Sequence, residues 1–189
     1  MGKDNILVLG IIGAAILLIL IGVVFNIVST KIPTNNVVGE IVTCEAAKKS
    51  GDNGRRTGEI LILIGYSFVI ISMLLLISLR VVNIMVPLLV LILIIYKTAV
   101  TGIFFNKLVR DDIANEYFVY EGLSKFLLLG QLILIVLFLV GTKGKANKQI
   151  GSSDNSDQQI ILTTIGLSLV NIALTGITNV ILVFFSTDG

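Results

Sequence analysis

The chain has 189 residues, of which 55% are hydrophobic and 14% are charged, and its mean hydropathy is +1.00. Roughly a quarter of the residues of a soluble protein are charged, so this composition indicates a membrane protein. The absence of histidine excludes His-ligated haem and His-containing zinc sites, and the single cysteine, Cys44, excludes an internal disulfide. A net charge of +2 is too small to indicate a nucleic-acid partner.

The apolar segments predict an all-α polytopic transmembrane bundle with about five spans, four being the alternative, and one short amphipathic interfacial helix. The predicted spans are 6–28, 60–79, 84–105, 120–141 and 160–185, and the polar loops are 29–59, 106–119 and 142–159. These spans use more than half of the chain. We therefore expect a single membrane domain over 1–189, without a separate soluble domain.

In the first span, Gly10 and Ala14 form a small-xxx-small pair. Such a pair lets a second helix approach closely in the membrane, so it predicts a packing surface. The alternative is that these residues reflect the ordinary glycine and alanine content of membrane helices.

The connection after the first span is the longest polar segment. Its composition predicts an extended stretch over 37–42, a helical turn over 45–49 and a break of the helix at 50–54, where glycine, serine and asparagine cluster.

A basic cluster lies just before the second span, made of Lys48, Lys49, Arg55 and Arg56. Basic side chains at this position bind anionic lipid headgroups at ~1 kcal/mol per charge, so they are candidates for lipid contact. The alternative is that the cluster only fixes the orientation of the chain, without a specific ligand.

The stretch 60–105 contains only two charged residues, Arg80 and Lys97. As one helix it would be about 69 Å long, more than twice the ~30 Å hydrocarbon core of a bilayer. It must therefore fold back as a hairpin, and we place the corner at 80–83.

Lys97 is the strongest candidate for a functional residue, because inserting a lysine at the centre of a span costs ~2.5–3.5 kcal/mol of free energy on insertion scales. Glu121 at the start of the fourth span is its possible counter-ion. The two residues therefore form either a structural ion pair or part of a transport pathway. The remaining alternative is that Lys97 extends to the headgroups.

Charged and apolar residues alternate over 106–119, which predicts an amphipathic interfacial helix that continues into the fourth span. Asp112 and Glu116 in this segment are four residues apart and could share a divalent ion. We interpret them instead as the solvated face of a surface helix. The sequence therefore predicts no metal site, no cofactor and no catalytic residue.

The fifth span carries a polar stripe, whose members recur at alternating steps of four and three residues: Thr164, Ser168, Asn171, Thr175 and Thr178. Polar side chains at this spacing pack one membrane helix against another. A water-filled pathway is the alternative. Because the stripe contains no ionisable residue, we favour helix packing.

The distribution of basic residues predicts the orientation of the chain. The side with the first long loop carries seven of them: Lys31, Lys48, Lys49, Arg55, Arg56, Lys107 and Arg110. Lys125 would make eight, and the other side carries five: Lys3, Arg80, Lys143, Lys145 and Lys148. The positive-inside rule then places the N-terminus outside and the C-terminus in the cytoplasm.

These features predict a non-enzymatic integral membrane subunit, a structural or assembly component of a larger complex in an organellar or virion membrane. Its expected partners are the lipid bilayer and other membrane subunits or further copies of itself. The alternative is a small channel or transporter, in which Lys97 and the stripe of the last span line the pathway.

Overall fold

A computed structural model of the chain describes residues 3–30, 41–79, 82–104, 114–141 and 155–185, and side chains within narrower limits. These residues form five α-helices and no strand. The helices are α1 (Lys3–Thr30), α2 (Ile41–Leu79), α3 (Met85–Phe104), α4 (Ala114–Gly141) and α5 (Asn155–Phe185). The prediction of an all-helical bundle is therefore confirmed.

Four of these helices are long and apolar enough to cross a membrane, namely α1, α2, α4 and α5, and α3 contributes a shorter apolar segment, Met85–Thr101. Large apolar side chains cover their outer faces, including Leu17 on α1, Ile92 on α3 and Leu169 on α5. Water does not solvate an apolar surface of this extent, whereas the interior of a membrane does. The chain is an integral, multi-pass membrane protein.

The helix α2 is longer than the sequence predicts. It runs without interruption from Ile41 to Leu79, so the predicted break at 50–54 is wrong. Two contacts lie in this segment, whose helix propensity is poor. The Thr57 hydroxyl donates to the Asn53 carbonyl at 2.8 Å, and Gly54 lies so close to Ser29 of α1 that a Cβ atom would collide with its hydroxyl.

Two other predicted elements lie partly outside the described residues. Of the extended stretch 37–42, only 41–42 are described, and they belong to α2. Of the interfacial helix 106–119, only 114–119 are described, and they form the beginning of α4, which continues into the fourth span.

The corner between α2 and α3 contains a helix cap. The Asn83 side-chain oxygen accepts a hydrogen bond from the Met85 N–H at 3.1 Å, and the Asn83 backbone carbonyl accepts one from the Val86 N–H at 3.1 Å. Asparagine is a preferred residue at this position because its side chain satisfies a free N–H of the first helical turn.

The five helices form a closed ring in the order α1–α2–α3–α5–α4, and α4 returns to α1. One half of the ring interior is mainly apolar, although Asn5 and Ser72 are also buried there. The apolar residues that pack in this half are Val8, Ile12, Met73, Leu76, Val90, Ile135 and Leu139. This half corresponds to the beginning of α1 and the end of α4. The opposite half, where α1 ends and α4 begins, carries the polar side chains described next.

The closest approach in the ring is between α1 and α2. A Cβ atom on Gly22 would lie 2.6 Å from the Gly58 carbonyl oxygen, and one on Gly65 would lie 2.7 Å from Ile19. Only glycine allows the two backbones to come this close.

Candidate functional site

Two ion pairs lie inside the ring near the end that carries the long first connection. Lys125 Nζ of α4 is 3.1 Å from Glu59 Oε1 of α2, and Lys97 Nζ of α3 is 3.7 Å from Glu121 Oε1 of α4. All four side chains are buried, with at most 3% of any one exposed. They are neutral as a group, since two lysines face two glutamates.

The first helix joins the first ion pair. Asn26 of α1 donates from Nδ2 to Glu59 Oε1 at 2.6 Å, and Lys125 donates to the same oxygen. One carboxylate oxygen therefore links three helices, α1, α2 and α4.

The second ion pair continues into the fifth helix through Ser124. Lys97 Nζ donates to the Ser124 hydroxyl, which donates in turn to Asn171 Oδ1 at 2.9 Å. The Thr175 hydroxyl lies 3.5 Å from the same serine oxygen. This connection links α3, α4 and α5.

A third cluster lies about 9 Å deeper along α4, six residues after Lys125. Gln131 donates from Nε2 to the Ser168 hydroxyl at 2.8 Å and to the Thr164 carbonyl at 3.3 Å. Asn171 Nδ2 donates to Gln131 Oε1 at 3.5 Å and so connects this cluster to Ser124. We call two hydrogen-bonded groups together the polar core. The first group contains Asn26, Glu59 and Lys125. The second contains Lys97, Glu121, Ser124, Gln131, Ser168, Asn171, Thr175 and, through its backbone carbonyl, Thr164.

The polar core reaches only part of the way across the membrane. Beyond Gln131 the interior of α4 is lined by Leu132, Ile135 and Leu139, all of them buried and apolar. Unpaired charges would be very costly in this environment, and pairing them offsets much of that cost. The charged side chains therefore lie in one half of the bundle, and apolar side chains fill most of the interior of the other half.

The structure places the predicted stripe of α5 entirely in the interior, since all five of its residues are buried. Thr164, Ser168, Asn171 and Thr175 belong to the polar core. Thr178 differs, because its hydroxyl bonds to the Thr175 carbonyl of its own helix at 2.8 Å. The stripe is thus oriented toward α4 and α3 within the same chain.

Other predicted residues lie away from the polar core. Gly10 is on the outer surface with no heavy atom within 4 Å of its Cβ position, and Ala14 is half-buried on the same helix. Arg56 is exposed and Arg55 is half-buried. The side chains of Lys48 and Lys49 lie outside the described part of α2.

Sequence reasoning missed four members of this site. The sequence places Glu59 in a loop and counts Lys125 only among the basic residues, whereas the two are paired inside the bundle. Asn26 and Ser124 were not singled out. A usable signal was present, because Glu59 and Lys125 have opposite charge and both lie at the ends of spans on the same side of the membrane.

The chemistry of the site is limited by its residue types. Within the described ranges, no group of three or more His, Cys, Asp or Glu side chains is placed to hold a metal ion. The path from Lys97 to Gln131 runs through the Asn171 side-chain amide. An amide does not titrate as hydroxyls and carboxyls do, so this path is unsuited to relaying protons.

Comparison with known proteins gives no further guide to this site: no family model, curated protein or solved structure matches the chain.

The hydrogen bonds of Asn171 in the polar core predict that replacing this residue lowers the stability of the bundle. Asn171→Leu removes the bonds to Ser124 and Gln131, so we expect the free energy of unfolding to fall by about 1–2 kcal/mol, since interhelical hydrogen bonds average ~0.6 kcal/mol in membranes. Thr178→Val is the control, because its hydroxyl bonds only within α5, and it should change stability by less than ~0.5 kcal/mol. Equal losses in reversible unfolding from detergent micelles would contradict this assignment.

Proposed function

We propose that the chain is a non-enzymatic subunit with a structural or assembly role in a larger protein complex of an organellar or virion membrane. The single observation that carries the proposal is the contrast between the glycines inside the ring and those on its surface. Gly22, Gly58 and Gly65 are required by the contact of α1 with α2. The surface glycines have no such contact with the residues that the structure describes.

The surface glycines lie on α1, α4 and α5, and no heavy atom of the described residues lies within 4 Å of their Cβ positions; Gly10 and Gly166 are exposed, and the other four are half-buried: Gly13, Gly122, Gly130 and Gly176. A glycine inside a helix costs ~1 kcal/mol relative to alanine, and a lipid contact does not offset that cost. Close packing against another membrane helix does offset it. The outer faces of α1 and α5, with Gly10 and Gly166 exposed, are therefore the proposed contacts with other subunits or further copies of this chain.

The interior supports the same proposal. The two lysines and two glutamates of the polar core are paired with one another across helices. Buried polar groups of this kind can specify one arrangement of helices over others. Their role is then to fix the order in which the five helices of this subunit pack around the ring.

The proposal predicts that Gly10→Leu and Gly166→Leu weaken association without unfolding the bundle. We expect at least a tenfold loss of association, measured by energy transfer between labelled chains in liposomes or by recovery of partners after crosslinking in native membranes. The matched control is Val24→Phe, which enlarges an outward-facing residue of α1 that is not a glycine. Wild-type chain that stays monomeric and crosslinks to nothing in its native membrane would contradict the proposal.

We also propose an orientation, with the N-terminus outside and the C-terminus in the cytoplasm. It is supported by the excess of basic residues on the side of the long first connection. A reporter fused to the C-terminus should resist protease in intact cells or right-side-out vesicles. Its digestion there would reverse the proposed orientation.

The second candidate is a small channel or transporter. One observation favours it: Lys97 and four residues of the α5 stripe belong to one hydrogen-bonded polar core inside the ring. Ionisable residues inside membrane bundles often mark solute pathways. Solute flux into proteoliposomes that disappears in a folded Lys97→Leu variant would support this candidate over the structural role.

A further inference from the structure

The outer face of α1 carries a regular row of residues in the half of the helix near its start. Its members follow one another at steps of four, three and four residues: Gly10, Ala14, Leu17 and Ile21. All are exposed except Ala14, which is half-buried, so the row is turned away from the interior of the ring. We call these four residues the α1 seam. A row with a mean step of about 3.5 residues is the surface through which one helix packs along another.

The outer face of α5 carries a second row with the same steps, which we call the α5 seam. It consists of Leu162, Gly166, Leu169 and Ala173, and all four are exposed. Lipid solvates an exposed leucine well, so exposure alone does not require a protein partner. What the two seams share is an alternation of large and small residues, which lets facing helices interdigitate.

The two helices run in the same direction through the bundle. Ser124 near the start of α4 contacts Thr175, whereas Gln131, which lies further along α4, bonds to Ser168. The helix α5 is therefore antiparallel to α4 and begins where α4 ends. Because the end of α4 lies beside the beginning of α1, α1 and α5 start at the same end of the ring.

The two seams also lie at the same level, measured from that end. Gly10 and Leu162 each come seven residues after the first residue of their helix, and the later members follow in step. At three of the four levels at least one of the two residues is small: Gly10 with Leu162, Ala14 with Gly166, and Ile21 with Ala173. Two large residues, Leu17 and Leu169, meet only at the remaining level.

Pairing either seam with its own copy gives a poorer match. Two chains joined through α1 would place Leu17 against Leu17 and Ile21 against Ile21. Two chains joined through α5 would do the same with Leu162 and Leu169. Each of these arrangements sets large residues against each other at two levels, whereas the mixed pairing does so at one, and such crowding opposes close packing.

We propose that copies of this chain join head to tail, with the α1 seam of one copy packed against the α5 seam of the next. This inference rests on the proposed function and names its partner as a second copy. Copies with one orientation in the membrane present these helices in parallel, as the pairing requires. Helices paired in this way cross at about 20°, so they separate beyond the four levels.

The position of α4 between α1 and α5 has a consequence for the assembly. The two seams face different directions, so one copy can hold a neighbour through each of them. A contact between two different surfaces of the same chain is heterologous, and it builds a closed ring when its rotation closes or an open row when it does not.

Disulfide crosslinking between full-length copies in liposomes tests this pairing. Cys44→Ser removes the one native thiol, and Leu17→Cys and Leu169→Cys are placed on separately tagged copies. Oxidation should join the mixed copies at least several-fold more than copies that carry Leu17→Cys alone, because a disulfide needs Cα atoms within about 7 Å. Leu17→Cys mixed with Val180→Cys is the matched control, since Val180 is exposed on α5 about 16 Å from the level of Leu169.

The outcomes separate this inference from the proposed function. Crosslinking of Leu17→Cys copies to one another would show a two-fold contact through α1 and overturn the head-to-tail pairing, while the assembly role would stand. The same holds if no mixed product forms although labelled copies still associate. A wild-type chain that stays monomeric and captures no partner in its native membrane would overturn both.

Discussion

Replacing Lys125 with methionine is expected to lower the free energy of unfolding by about 3–5 kcal/mol, the largest effect of any single substitution proposed for this chain. The substitution leaves the Glu59 carboxyl group without its cation partner in a bundle where both side chains are buried. Most of the loss comes from this unpaired charge rather than from the lost attraction. Thermal unfolding or steric trapping in detergent micelles measures this change in the free energy of unfolding.

A second variant tests this explanation. Lys125→Met combined with Glu59→Gln removes both charges, so it should recover more than half of the stability lost in the single variant. Arg56→Met is the control for removing a cation, because Arg56 is exposed, and it should change stability by less than ~0.5 kcal/mol. If the double variant is less stable than Lys125→Met, the ion pair is not the cause of the loss.

The second large effect is expected at the contact between α1 and α2. Gly22→Val should lower the free energy of unfolding by about 1–3 kcal/mol, because the first added carbon would already lie 2.6 Å from the backbone oxygen of Gly58. A backbone atom cannot rotate away as a flexible side chain can, so the two helices would have to separate. The same unfolding measurement applies.

Gly13→Val is the matched control for Gly22→Val, since it places the same side chain on α1 where no heavy atom lies within 4 Å of the Cβ position. It should leave stability unchanged or raise it slightly through better helix propensity. Equal destabilisation by both substitutions would mean that valine disturbs α1 itself and that the close approach to α2 is not limiting.

The candidate site was only partly predictable. Lys97 and Glu121 were paired from the sequence because a lysine within a span needs a counter-ion, and the structure brings them 3.7 Å apart. The other pair, Glu59 with Lys125, joins residues at the boundaries of two spans that are not consecutive. The sequence alone could not distinguish such boundary charges from residues in contact with headgroups.

The packing glycines illustrate the same limit. Gly10 and Ala14 match a familiar spacing, but the closest backbone contact involves Gly22, Gly58 and Gly65. Whether a glycine faces a neighbour depends on the rotation of its helix about its own axis. Spacing along the chain does not fix that rotation, because α1 and the second half of α2 carry apolar residues on nearly every face.

The amino-acid sequence by itself determined that this is a multi-pass helical membrane protein and that the chain turns back near Asn83. Both follow from local properties, since the length and hydropathy of a segment decide its transfer into lipid. Only the tertiary structure decided that α5 lies between α3 and α4, and that α2 continues as a helix through 50–54. The tertiary structure also decided which charged side chains form ion pairs. All three features depend on contacts between distant segments, and lipid solvates the alternative arrangements of the helices almost equally well.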